Sequence, residues 1–241
     1  MRKFRVFLKL RAELLKRLTP FPKTYIFTSR YFYPPLHVAK LLSRNTQIII
    51  EGFPRSANTF AFVAFMNAQD EPVVVAHHNH DQAMVSVGVK LGIPALILIR
   101  KPNEAVRSLM AYHPTLDVAT AYRQYLAFYS EMEKIKEKVV IADFVEVTEN
   151  FGEVIERVNQ KFDTKFGIFM HTKEQERSVF KKIDAFNQIR HSGSQAKLAM
   201  PNEGRRAKIS EVVINPPLDL ERDSLALYSR LSPLSAHSNS N

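Results

Sequence analysis

The chain of 241 residues contains no cysteine, which excludes a disulfide framework, a thiolate zinc site and a thiol nucleophile, and fits a reducing compartment. It also lacks any apolar run of the ~18 residues that a membrane-spanning helix needs. No internal repeat is present, and charges interrupt every apolar stretch near the start, so a cleaved signal peptide is not expected. Acids are in deficit. The 24 Asp and Glu against 34 Lys and Arg leave a formal net charge of +10, which points to phosphorylated or polyanionic ligands or to an anionic surface. With 45% apolar and 24% charged residues, the composition is that of one globular domain carrying appended arms.

The chain is organised around residues 48–60. Ile48, Ile49 and Ile50 read as a buried strand; Glu51, Gly52, Phe53, Pro54, Arg55, Ser56, Ala57 and Asn58 follow as a tight loop, and Thr59 and Phe60 open an apolar helix. Backbone N–H groups at a helix start have no intrahelical partners and sit at the positive end of the dipole, so such a loop is a ready phosphate site. Arg55 adds a fixed charge, and Ser56, Asn58 and Thr59 add short donors. The spacing approaches the Gly-x-x-x-x-Gly-Lys-Ser/Thr P-loop, but Ala57 replaces the second glycine and Asn58 replaces the lysine that a nucleoside triphosphatase needs. The alternative is an ordinary strand-to-helix turn in which Ser56 and Asn58 cap the helix.

Residues 2–18 read as a basic amphipathic helix that either lies on an anionic membrane or packs on its own domain. Residues 19–47, with Pro20, Pro22, Pro34 and Pro35 among aromatics, read as an irregular covering segment. Further strands are expected at 72–76, 95–99 and 139–142. Helices are expected at 103–110, at 117–137 with Tyr122, Tyr125 and Tyr129 on one face, at 148–162, at 173–182 and at 216–231. Residues 202–208 read as a basic turn. Alternation of strands and helices gives the expected fold: a single α/β domain, a P-loop-type parallel sheet flanked by helices on both faces, over residues 46–231. Residues 1–45 form an arm, and 232–241 a tail expected to be disordered. Ligands of such sheets bind at the carboxyl ends of the strands, where the 52–60 loop, His77, His78, His80 and Arg100 all fall.

A second motif follows the third strand: Arg100, Pro102, Glu104 and, eight residues after the arginine, Ser108. Together with the first loop, it resembles the nucleotide-binding signature of the sulfotransferases that use 3′-phosphoadenosine-5′-phosphosulfate (PAPS). The resemblance spans roughly residues 46–165. It implies that Arg55, Ser56, Ala57, Asn58 and Thr59 cradle the 5′-phosphate, that Phe60 stacks on adenine, and that Arg100 and Ser108 hold the 3′-phosphate. It implies that Arg205 and Arg206, after Gly204, stand for the family's late basic loop. Counting back twenty-two residues from Arg100 reaches His78 as the implied catalytic base, with His77 and His80 as rivals; Arg55 is the second implied catalytic group. Ala57, Asn58 and Ala76 depart from the family's usual glycine, threonine and lysine.

The implied activity is sulfuryl transfer from PAPS to a hydroxyl or amine, with no metal. The acceptor is unassigned, with sugars, lipids and other hydroxyl compounds all open, and no specific nucleic acid is expected. The expected location is the cytoplasm, with membrane-surface contact through residues 2–18 as an option. Two rival readings stay open. One is a P-loop kinase or ATPase, in which Asp143 at the end of the fourth strand binds magnesium. The other is a non-catalytic protein binding membranes or polyanions. A metal site at the histidines and Asp81, structural histidines, and an Arg100 paired to a helix carboxylate are the local alternatives.

Overall fold

The computed structural model describes residues 10–11, 13–33, 35–191 and 203–234. In chain order the elements are α1 (Pro22–Phe32), α2 (Pro35–Val38), β1 (Ile48–Gly52), α3 (Asn58–Asn67), β2 (Val75–His77), α4 (Gln82–Lys90), β3 (Ala95–Ile99), α5 (Pro102–Tyr112) and α6 (Val118–Glu133). After a 3-10 turn at Lys136–Lys138 come β4 (Val140–Asp143), α7 (Phe144–Glu149), α8 (Phe151–Phe162), α9 (Lys173–His191), α10 (Glu203–Ser210) and α11 (Leu218–Leu231).

The four strands are parallel in the order β2-β1-β3-β4. They read as unbroken apolar runs because both faces of the sheet are covered. Ile49, Ala76, Ala95, Ile97 and Ile99 pack under α4, α5, α6 and α11, while Ile48, Ile50, Val75, Leu96, Leu98 and Ala142 pack under α3, α8 and α9. The single α/β domain with a parallel sheet and helices on both faces is therefore the fold expected from sequence.

Strand order fixes the site. From β1 the chain crosses to β2 on one side and then returns to place β3 on the other, so the connections diverge at the β1–β3 boundary and leave a crevice at the strands' carboxyl ends. Gly52 pairs with Leu98 there, and a Cβ on Gly52 would lie 2.4 Å from the Leu98 carbonyl oxygen. Glycine lets the two strand ends, and the two motifs beyond them, approach.

Several boundaries differ from the sequence reading. The segment over 19–47 contains helix α1, because Pro22 occupies the first helical turn, where a missing N–H is harmless. Its Tyr25 is buried and donates to Asp81 Oδ2 at 2.9 Å. The helix expected over 148–162 is two, α7 and α8, separated at Asn150. Helix α9 runs on to His191, and the turn expected over 202–208 is helical from Glu203. Ser232, assigned to the tail, is buried and its hydroxyl donates to Asp143 Oδ2 at 3.0 Å. Of the basic helix expected over 2–18, residues 2–9 lie outside the described residues, as do 235–241 of the tail; residues 13–17 are helical and bury Leu15. Among the described residues no helix is long and apolar enough to cross a membrane.

Candidate functional site

The loop after β1 leaves the sheet through two residues in the left-handed region, Arg55 at φ 73° and Ala57 at φ 67°. Ala57 is the N-cap of α3, and no side chain caps that helix. The capping alternative therefore fails for Ser56 and Asn58. Ser56 is fully buried with Oγ 3.4 Å from Tyr129 Oη, and Asn58 Nδ2 donates back to the Phe53 carbonyl at 3.0 Å, closing the loop on itself. The helices after β2 and β4, by contrast, are capped by Asp81 and Asp143. The first turn of α3 keeps its N–H groups directed at the loop mouth, an arrangement that favours an anion.

Arg55 turns across the crevice to the second motif. Its Nε donates to Ser108 Oγ at 3.3 Å, and its guanidinium lies 5.2 Å from the Tyr112 ring centroid. Among the described residues no carboxylate lies within ion-pair distance of Arg55. Burial, with the nearby charge of Arg100, pulls its pKa down to about 10. Arg100 donates from Nη1 to the Arg55 carbonyl at 3.3 Å and from Nε to Glu104 at 3.1 Å, and it lies 4.0 Å over the Phe144 ring. The pairing to a helix carboxylate is thus present, but Glu104 is half exposed, and such a pair contributes little. A cleft of about 300 Å³ opens beside Arg100, bordered by Lys101, Phe144 and Tyr228.

Two guanidinium groups and Ser108 therefore converge beside an uncapped helix start. No family model matches the chain, and no curated protein matches it. Among solved structures, it is similar to mouse sulfotransferase SULT7A1 complexed with PAP, at 12% sequence identity and a TM-score of 0.48, over 80% of this chain and 86% of that one.

The other expected site residues are distributed unevenly. Phe60 is not at the mouth of the loop: its ring is buried against Phe169 and Phe180 and stacks on His171 at 6.0 Å, so it is committed to the core. Thr59 Oγ1 lies 3.0 Å from His78 Nε2. The other His78 nitrogen, Nδ1, is 2.6 Å from His77 Nδ1, and the His77 ring stacks on Phe62 at 3.7 Å. Helix α10, which carries Arg205 and Arg206, packs near α5, but those two side chains lie outside the described residues. Among the described residues no three His, Asp or Glu groups come together in a metal-holding arrangement.

Asp143, the magnesium aspartate of the kinase reading, has its carboxylate in use. Oδ1 caps α7 through Val145 N–H at 3.1 Å, and Oδ2 accepts from Tyr228 Oη at 2.6 Å and from Ser232. A carboxylate so engaged is structural.

Sequence reasoning treated the α6 tyrosines as a packing face and missed what their hydroxyls do. Tyr129 Oη donates to the Leu98 carbonyl at 2.7 Å and accepts from Phe53 N–H at 3.2 Å, tying the first loop to β3. Tyr125 Oη donates to the Arg100 carbonyl at 2.8 Å, and Tyr122 Oη to Asn103 at 2.7 Å. The spacing was visible, but the partners come from β3, the loops after β1 and β3, and the start of α5. We expect Tyr129→Phe to lower unfolding free energy by about 1–3 kcal/mol, because it strands a buried N–H and a buried carbonyl. Urea titration checks this, and a change below about 0.5 kcal/mol would deny Tyr129 its tying role.

Glu51 was also missed, although a glutamate in an otherwise apolar strand was the available signal. It is fully buried and accepts from Asn79 N–H at 2.6 Å and His80 N–H at 3.1 Å. Burial pushes its pKa up to about 8, against the pull of those two donors. His80 donates from Nδ1 to the Gly52 carbonyl at 2.7 Å.

Proposed function

We propose that the chain is a sulfotransferase that takes PAPS as donor and transfers its sulfuryl group to a hydroxyl or amine. The observation that carries the reading is Arg55: a largely buried guanidinium with no carboxylate at ion-pair distance among the described residues, at an uncapped helix start, joined to Ser108 of the second motif. A buried cation of this kind needs an anion. The loop supplies N–H groups for the 5′-phosphate, and Arg100 with Ser108 offers a second anion position for the 3′-phosphate. Arg205 and Arg206 are carried as further 3′-phosphate contacts on the strength of the resemblance alone.

In the reaction the acceptor oxygen attacks sulfur in line as the bond to the 5′-phosphate oxygen breaks, and adenosine 3′,5′-bisphosphate (PAP) leaves with the electron pair. Arg55 would neutralise the charge that grows on that oxygen. The remaining work is positioning, for which the loop is held by Tyr129 and by the Asn58–Phe53 bond.

Calorimetric titration with PAP in the absence of magnesium, beside AMP, tests the donor site. We expect PAP to bind more tightly than AMP, and Arg100→Ala to weaken PAP by roughly 10- to 100-fold while leaving AMP within a few-fold, as expected for loss of a charged hydrogen bond. Equal affinity for PAP and AMP would exclude the assignment.

A further inference from the structure

We infer that His80, rather than His78, takes the proton from the acceptor, and that buried Glu51 is its positioning residue. This rests on the sulfuryl-transfer reading above and decides among three neighbouring histidines by the state of their ring nitrogens.

A carbonyl oxygen only accepts, so the 2.7 Å contact with Gly52 fixes the proton of neutral His80 on Nδ1 and leaves the lone pair on Nε2. Among the described residues Nε2 has no hydrogen-bond partner, and the side chain is 29% exposed. Glu51 Oε2 accepts from the His80 backbone N–H and lies 3.6 Å from the same Nδ1, beyond hydrogen-bond reach, so one fully buried carboxyl group holds the backbone of the residue and sits beside its ring. A histidine with one nitrogen tethered beside a carboxyl group and the other open is arranged as a general base.

His78 is arranged differently. If His77 donates to its Nδ1, then Nε2 carries the proton and donates to Thr59. If His78 donates from Nδ1, then Nε2 accepts from the Thr59 hydroxyl. In both tautomers both ring nitrogens are engaged.

Backbone geometry marks both histidines alike. Of the five non-glycine residues with positive φ among the described residues, Arg55, Ala57, His78 and His80 lie in the loops after β1 and β2. Strained backbone persists where surrounding structure holds it, commonly at reacting centres. Burial, with smaller contributions from the charges of Arg55 and Lys40, holds the His80 pKa below its ordinary value against the pull of the Gly52 carbonyl. In the step itself, the acceptor's O–H proton passes to Nε2 as its oxygen bonds to sulfur and PAP departs.

The test compares wild type, His80→Asn and His78→Asn. Asparagine tolerates positive φ and keeps a donor near the Nδ1 position, so the tether to Gly52 survives while the base is lost. PAP affinity is measured by calorimetry, and turnover as inorganic sulfate released from PAPS with water as acceptor. For His80→Asn we expect PAP binding within about threefold of wild type, turnover down about 100-fold or more, and partial recovery with added imidazole. In ¹⁵N spectra of the wild type near neutral pH, His80 should show a protonated Nδ1 and a bare Nε2, with Nδ1 shifted in Glu51→Gln. A larger turnover loss in His78→Asn than in His80→Asn, or a protonated His80 Nε2, would overturn the assignment while leaving the donor site intact. A wild-type chain that fails to bind PAP would overturn the transfer reading itself, and the role of His80 with it.

Discussion

Arg55→Ala is expected to lower turnover about 100-fold or more and, in the same variant, to cost the folded state no more than about 1 kcal/mol. The two effects have one cause. A guanidinium poised for charge that develops only during transfer is worth roughly 3–4 kcal/mol to the rate. In the resting protein the same group is desolvated, faces Arg100 and has no carboxylate partner among the described residues, and its depressed pKa expresses that conflict. Its contacts with Ser108 and Tyr112 offset part of the cost. Removing it should change unfolding free energy by no more than about 1 kcal/mol in the destabilising direction, and the change can be favourable. Urea unfolding without nucleotide and sulfate release with PAPS measure the two quantities separately. A variant that is strongly destabilised and fully active would show Arg55 to be a structural cation.

Stability should fall as pH rises from about 6.5 to 8, by about 2 kcal/mol, and Glu51→Gln should flatten that slope. The Glu51 pKa is about 8 in the folded chain against 4.5 for the ordinary side chain, with burial as the main cause. The native state therefore holds the proton more tightly than the unfolded chain. That contribution is complete below about pH 4.5 and is lost as pH climbs through 8, at about 1.4 kcal/mol per unit. Asp81, raised by burial, acts with the same sign. His80 acts with the opposite sign: its folded pKa lies below 6.5, so its contribution is lost as pH falls and complete above about 6.5. Arg55, at about 10, titrates outside the window. Glu51 is therefore the group whose folded pKa falls in the interval from 6.5 to 8, and the difference between wild type and Glu51→Gln isolates it. A urea midpoint that rises across this interval, or a Glu51→Gln slope as steep as wild type, would remove Glu51 from this role.

Much of the architecture was legible because it is written in local pattern. The apolar runs at Ile48–Ile50 and Ala95–Ile99 have the signature of strands buried on both faces, and the stretches between them have helical period. The crevice was also legible, since alternating strands and helices place Arg55, the histidines and Arg100 at one end of the sheet whatever their detailed contacts. Proline misled at α1, because Pro22 can start a helix as well as prevent one, and only packing of Tyr25 against Asp81 distinguishes the two.

Local pattern alone determined which candidate residues sit at which end of which strand. Tertiary structure decided what each is free to do. Asn58, Ser56 and Thr59 look like equivalent short donors in the chain, yet one closes the loop and another is buried under Tyr129. Phe60 reads as a stacking platform and is part of the core. His77, His78 and His80 are indistinguishable by residue type. What separates them is whether a carbonyl, a hydroxyl or another ring faces a given nitrogen, and those partners come from β1, α3 and a neighbouring histidine. A hydrogen bond has one direction and a range of about 3 Å, so which lone pair remains open depends on atoms far away in sequence.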